Sequence, residues 1–280
     1  MAQPGGRDWA ALAGRLRGDG IAIEEVELLP AVPARCTAVF VAGPVAAIRG
    51  EEALALQAYV RGGGGLVVAA AVTEEGALPA TGLDGVLAAD GLGLPAAIVV
   101  DPALVVPDRP NAVRVVDGYR NVAINRGFAR VRPTLWYRAR AVATAGGAKP
   151  LVAATPASWG ERDLISSPVK DPDDLAGPVA LAALGSTHRV IAIGSMESVS
   201  TARLSDGWSG VDLWFARAIR YAAGAAEPTL TAPERSPEQV RLVMTAAQRR
   251  QVIAVSVAGI PLAWAVIGGL VVWWRRRRAA

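Results

Sequence analysis

The sequence predicts an α/β open sheet with an inserted β-rich segment, followed by one C-terminal transmembrane helix. Three observations carry this reading. Apolar, strand-like runs alternate with helical periodicities from Asp8 to Pro102; an arginine-rich extended stretch interrupts that alternation; and Val252 to Trp274 contains no charged residue before it runs into Arg275–Arg278.

The first helix is expected over Asp8 to Arg17, where Trp9, Leu12 and Leu16 recur at helical spacing and Gly18 and Gly20 end the pattern. Imperfect alternation of Ile21, Ile23, Val26 and Leu28 predicts a strand before Pro30 and Pro33. TAVFVAGP (37–44) then reads as a buried strand, because both its faces are apolar. Leu54, Leu56, Tyr59 and Val60 give Gly50 to Arg61 an apolar helical face, GGGG at 62–65 breaks that helix, and LVVAAAV from Leu66 is a second buried strand. Together these make a βαβ unit. A short helix near Leu83 to Asp90 leads to a further strand in AIVVDP at 97–102.

Past Asp101 the pattern changes. A Pro-rich loop to Asn111 is followed by extended stretches such as ARVRPTLWYRARAVATA, which predicts an insertion over about 103–148. Apolar runs resume at LVAAT (151–155), and PVALAAL (178–184) and RVIAIGS (189–195) read as neighbouring strands. Val211, Trp214, Phe215, Ala218, Ile219 and Ala222 fall on one broad face, so Val211 to Ala223 is a helix packing on a sheet and closing an α/β domain of residues 1–225. From Ser236, SPEQ supplies an N-cap, a proline at the first helical position and a capping-box glutamine. Residues 226–251 are therefore expected as linker and helical stalk, 252–274 as the membrane helix and 275–280 as a basic tail.

Composition agrees with that division. Hydrophobic residues make up 52% of the 280, charged ones 19%, and mean hydropathy is +0.32, which excludes disorder and exceeds what a typical soluble domain carries. At about 1.5 Å per residue the charge-free run covers roughly 34 Å, the thickness of a bilayer core, and Trp273 and Trp274 stand where an interfacial aromatic belt belongs. The net charge of +4 is matched by the four terminal arginines, so the body is neutral and no nucleic-acid partner is expected. One cysteine, Cys36, allows no internal disulfide, and one histidine, His188, leaves no zinc cluster. MAQPGGRDWAALAGRL lacks the apolar core of a signal peptide. The arginine tail favours a cytoplasmic C-terminus and an extracytoplasmic domain, although Arg235, Arg241, Arg249 and Arg250 crowd the other flank of the helix.

Candidate sites are few. GGGG lacks the preceding strand, lysine and hydroxyl of a phosphate-binding loop, and a helix-to-strand turn explains it. Cys36 and His188 have no catalytic neighbours in sequence. Ser195, Glu197 and Ser198 in GSMES follow a strand, where open α/β sheets bind ligands, and form a candidate ligand loop. Between Arg109 and Arg140 arginines outnumber acids, Asp117 being the sole carboxylate there. Arg130, Arg132, Arg138 and Arg140 have even spacing that puts each pair on one strand face, either a solvated sheet face or a contact for a partner or anion. In the membrane helix, Gly259 with Ala263 and Ala265 with Gly269 have the small-xxx-small spacing of close helix contacts in lipid. No catalytic residue, cofactor or metal is expected.

Several blocks in order carry a family resemblance: VFVAGP (39–44), EEALALQAYVRGGGGLVV (51–68), the passage to VVDP (87–102), KPLVAATPASWGERD (149–163), RVIAIGSMESVS (189–200) and the terminal helix with RRRR. In this order the chain resembles the GldG-like auxiliary subunit of gliding-motility-type ABC transporters. The resemblance implies a flavodoxin-like or class I glutamine-amidotransferase-like scaffold without the amidotransferase cysteine, beside an ABC permease and ATPase at the inner membrane. Family members carry an upstream membrane helix and a preceding domain, so the chain corresponds to their C-terminal half. The expected function is non-enzymatic scaffolding or regulation of the permease and ATPase. The alternative is a membrane-tethered module that binds a small ligand or glycan without a transporter.

Overall fold

The computed structural model describes residues 8–73, 76–106, 109–128, 132–164, 168–204, 209–225 and 246–278. In chain order its elements are α1 (Ala10–Gly18), β1 (Ala38–Ala42), α2 (Gly50–Arg61), β2 (Gly65–Ala69), α3 (Asp84–Ala88), β3 (Leu92–Gly93), β4 (Ile98–Val100), β5 (Val105–Val106), β6 (Arg109–Val115), β7 (Thr134–Tyr137), β8 (Ala143–Thr144), β9 (Lys149–Ala153), β10 (Trp159–Glu161), β11 (Leu175–Ala176), β12 (Ala180–Leu184), β13 (Val190–Ile193), α4 (Thr201–Leu204), α5 (Val211–Ala222), α6 (Ala246–Ile253) and α7 (Ile260–Arg278). They divide into two units, Met1–Val105 with Asn111–Arg241, and Val106–Pro110 with Leu242–Ala280.

In the first unit a mixed sheet of order β1-β2-β13-β12-β9 is the centre. β1 and β2 are parallel and joined through α2, which is the predicted βαβ unit. β13 runs parallel to β2, with Val190 opposite Leu66, while β12 and β9 are antiparallel to their neighbours. The uninterrupted apolar run of β2 has a direct cause. Val67 and Ala69 enter a cluster with Leu12, Leu16, Trp214 and Phe215 on one face, and Leu66 and Val68 enter another with Leu56, Val60, Val86 and Leu87 on the other. Helices thus cover both faces, so no position along β2 is left for a polar side chain. The GGGG segment is shaped by packing: a Cβ on Gly65 would lie 1.9 Å from the carbonyl oxygen of Ala222 at the end of α5, and Arg189 also donates to that oxygen at 2.9 Å.

Two expectations need correction. Ile21 to Leu28 forms no strand, because the adjacent carboxylates Glu24 and Glu25 break the alternation and would force one acid onto the packed side. The AIVVDP strand, β4, pairs with β10 in a separate three-stranded sheet with β11 and does not join the central one. Within the 103–148 segment, β6 pairs antiparallel with β7 in a sheet of its own with β5, and Trp136 of β7, fully buried, places its ring 5.3 Å from that of Trp214.

Asn125 locks the same region. Its side chain donates to the carbonyls of Arg120 (2.9 Å) and Leu151 (2.6 Å) and accepts the indole N–H of Trp214 (2.8 Å), so helix α5, strand β9 and the 118–125 loop share one buried amide.

In the second unit α6, a π-helical segment (Ala254–Gly259) and α7 follow one another without a break. Pro261 accounts for the π segment, since its ring excludes the carbonyl four residues earlier and it has no N–H to give. Among the described residues no single helix is long and apolar enough to cross a membrane. The expected single helix is divided at the π segment, and α7 ends in four arginines. The stalk start at Ser236 lies outside the described residues.

Candidate functional site

The carboxyl end of the parallel strands is where the sequence placed a ligand loop. β13 is followed by Gly194, whose N–H donates to the Leu181 carbonyl (2.8 Å) and whose carbonyl accepts from the Arg140 N–H (2.8 Å). A Cβ at Gly194 would lie 2.1 Å from the Arg140 carbonyl oxygen, so glycine is required for the chain to leave the sheet there. Met196 then donates to Ala70 at the end of β2 (2.8 Å), folding GSMES back over the sheet edge.

Ser195 and Ser198 are buried and saturated. The Ser195 hydroxyl donates to the Tyr137 carbonyl (2.6 Å) and accepts the Ser198 hydroxyl (2.8 Å) and N–H (3.2 Å). Ser198 Oγ in turn accepts the Tyr137 N–H (2.9 Å). The Ser195 proton sits on a peptide carbonyl and the Ser198 proton on the Ser195 hydroxyl, so neither hydroxyl donates to a base that would activate it as a nucleophile.

Glu197 sits between two arginines. Arg138 Nε donates to one carboxylate oxygen (2.7 Å), and Arg203 donates to the other through Nη2 (2.6 Å) and Nε (3.2 Å). Burial alone would raise the Glu197 pKa, but the hydrogen bonds and charges of Arg203 and Arg138 outweigh it and hold the carboxyl below its ordinary value. Arg138 also donates to the Thr73 carbonyl (2.7 Å), and the Arg203 guanidinium lies 4.0 Å from the centre of the Tyr137 ring. Arg138 has φ of 39°, in the left-handed region that a non-glycine residue avoids, and its bonds to Glu197 and Thr73 hold it there.

Arg140 is not on a solvated sheet face. It is 7% exposed, and Nε and Nη1 donate to the carbonyls of Pro95 and Pro79, each at 2.9 Å, while Nη2 donates to that of Leu94. Burial lowers its pKa, with the charge of Asp84 acting in the opposite direction. Arg138 and Arg140 follow β7 and lie outside it, so their even spacing does not put them on one strand face. Arg132 is half-buried outside any strand, and Arg130 lies outside the described residues. Sequence reasoning thus found Glu197 and Arg138 separately and missed that they pair. Arg203, Tyr137 and Thr73 carried no local signal.

Elsewhere, Cys36 donates weakly to Glu24 (3.7 Å), and burial, followed by the Glu24 carboxylate, pushes its thiol pKa up, away from the reactive thiolate. His188 Nδ1 lies 3.0 Å from Asp90 Oδ1, which also accepts the N–H groups of Thr187 (3.2 Å) and His188 (3.0 Å). This staples the β12–β13 turn to the residues after α3. No group of His, Cys, Asp or Glu among the described residues could hold a metal ion. In the second unit Gly259 closes the π segment and Ala263 lies in α7, so of the two small-residue pairs only Ala265 and Gly269 fall within one regular α-helix.

No family model matches the chain, and no curated protein does. Among solved structures the mmIFT52 N-terminal domain is similar at 17% identity and a TM-score of 0.56, over 82% of this chain and 95% of that one. A ThuA-like protein from Bacteroides uniformis aligns at 12% identity and a TM-score of 0.47, over 79% of this chain and 87% of that one. At such identity the first likeness shows a shared mixed α/β fold and nothing about activity.

Proposed function

We propose that this chain is a non-catalytic, membrane-anchored auxiliary subunit of an ABC transport system, a flavodoxin-like or amidotransferase-like scaffold that positions or regulates the permease and ATPase. The observation that carries the reading is the closure of the carboxyl end of the sheet. Ser195, Ser198, Glu197, Arg138 and Arg140 are bound to one another or to backbone carbonyls, an arrangement suited to holding a surface rigid for a protein partner. The order of the sequence blocks supplies the class of partner.

Membrane anchoring is supported by the second unit. The run from Val252 to Trp274 is helical throughout, its π segment included, and π-bulges and prolines are tolerated in membrane helices. Val257, Leu262 and Trp264 are 71%, 69% and 69% exposed, apolar side chains that lipid would cover. Arg278 lies over the Trp274 ring at 3.9 Å, the aromatic and basic pairing of a membrane interface.

The test is affinity purification of the detergent-solubilised full chain from its native membranes, with mass spectrometry of what accompanies it. An ABC permease and its ATPase are expected, and a chain lacking 252–280 should leave the membrane fraction after a carbonate wash. Recovery of the tagged full chain without any ABC component overturns the transporter reading, and a truncated chain that stays membrane-bound overturns the anchor.

A further inference from the structure

The two edges of the central sheet are treated differently. At β9 the edge is covered: the Arg120 N–H donates to Leu151 (3.0 Å), the Ala153 N–H donates to Gly118 (2.9 Å), and Tyr119 bridges to Val152. At β1 nothing of the kind occurs. The neighbouring stretch from Ile21 to Leu28 packs through Ile21, Ile23 and Leu28 but exchanges no backbone hydrogen bond with β1 among the described residues.

Which groups of β1 face outward follows from its ladder with β2. The Thr37 carbonyl accepts from Gly65 and the Gly43 N–H donates to Ala69, so the odd-numbered residues turn their N–H and C=O towards β2. The N–H and C=O of Ala38, Phe40 and Ala42 therefore point away from the sheet. The strand, AVFVA, carries no charge, proline, glycine or bulge, the devices that keep an edge from pairing.

We propose that β1 is a self-association edge, on which β1 of a second copy of this chain pairs antiparallel about a twofold axis through Phe40. Three features of the strand fit this occupant. AVFVA reads the same in both directions, so twofold antiparallel pairing sets Phe40 opposite Phe40, Val39 opposite Val41 and Ala38 opposite Ala42, each residue facing its own kind. The outward-facing residues are the even ones, centred on the same Phe40, so the alternation of an antiparallel ladder makes all three even-numbered facings hydrogen-bonded pairs. An uncharged strand also sets no like charges against each other when it meets its copy. The result is one continuous sheet across two protomers. This holds whether or not the chain serves a transporter.

The experiment is register-specific cross-linking of the full chain in its own membranes. In a Cys36→Ser background, one tagged chain carries Ala38→Cys and a second, differently tagged chain carries Ala42→Cys. The paired positions would lie roughly 5.5 Å apart, within disulfide reach, whereas 38 to 38 or 42 to 42 would be separated by more than ~13 Å. Co-expressing the two chains and oxidising with copper phenanthroline should give a doubly tagged dimer in clear excess over the dimer formed by either variant alone, because only the mixed pair falls within disulfide reach. Absence of the dimer, equal cross-linking by the single variants, or a cross-linked product containing another polypeptide overturns the proposal.

Discussion

Glu197→Ala tests whether the arginine-flanked carboxylate holds the carboxyl end of the sheet together. The substitution removes three charge-assisted hydrogen bonds, at 2.6, 2.7 and 3.2 Å, and leaves Arg138 and Arg203 facing each other without a counter-charge. A hydrogen bond to a charged group contributes about 1.5–3 kcal/mol when shielded. Here the side chains of Glu197, Arg138 and Arg203 are 22%, 25% and 38% exposed, so solvent screening reduces each term. A total loss of about 2–4 kcal/mol is expected. Glu197→Gln, which keeps the shape and part of the hydrogen bonding, should cost about half as much. The assay is equilibrium urea unfolding of the full chain in detergent, read by tryptophan fluorescence, because Trp136 and Trp214 lie in the core of the first unit. The pH dependence has a fixed sign. The folded pKa of Glu197 lies below its unfolded value of about 4.3, so its stabilisation is complete above that value and is lost as pH falls through the lower folded pKa. The difference between wild type and Glu197→Ala should therefore be constant near neutrality and shrink in acid. A difference under about 0.5 kcal/mol at pH 7, the level of an ordinary surface change, would falsify the bridging role.

Two further outcomes follow from buried polar groups. Asn125→Leu leaves the Trp214 indole N–H and the Arg120 and Leu151 carbonyls without their partner, so a loss of about 3–5 kcal/mol in the same unfolding assay is expected, against about 0.5 kcal/mol or less for an exposed site. Tyr119 is pushed up to about 12, by burial first, against the pull of its hydrogen bond with Thr134. With the folded value above the unfolded one, its contribution is complete below about pH 10 and is lost as pH rises to about 12. Tyr119→Phe should remove that alkaline component of stability, and an alkaline unfolding curve unchanged by the substitution contradicts the assignment.

What could be read from sequence was what local chemistry decides. α2 has a glycine at each end, β1 and β2 are filled by apolar runs whose meaning does not depend on distant partners, and α5 shows its buried face in the spacing of Val211, Trp214, Phe215 and Ala218. Sheet membership is another matter. Ile98 to Val100 has the composition of a central strand, yet it pairs with Trp159 to Glu161, a choice made by the topology of the chain between them. The site was half visible for the same reason. The position of Ser195, Glu197 and Ser198 beyond a strand is a local fact, but their partners Tyr137 and Arg138 are 58 to 61 residues away along the chain. The arginines misled because strand periodicity was extended past the end of the strand. At Arg138 the backbone turns to a positive φ, the period of two stops applying, and Arg140 enters the interior to bind three carbonyls. That turn fixes the character of the whole end of the sheet. It carries one guanidinium to Glu197 and the next to the backbone of 79–95, so the positive charge that composition assigned to a surface instead holds the protein's own loops together.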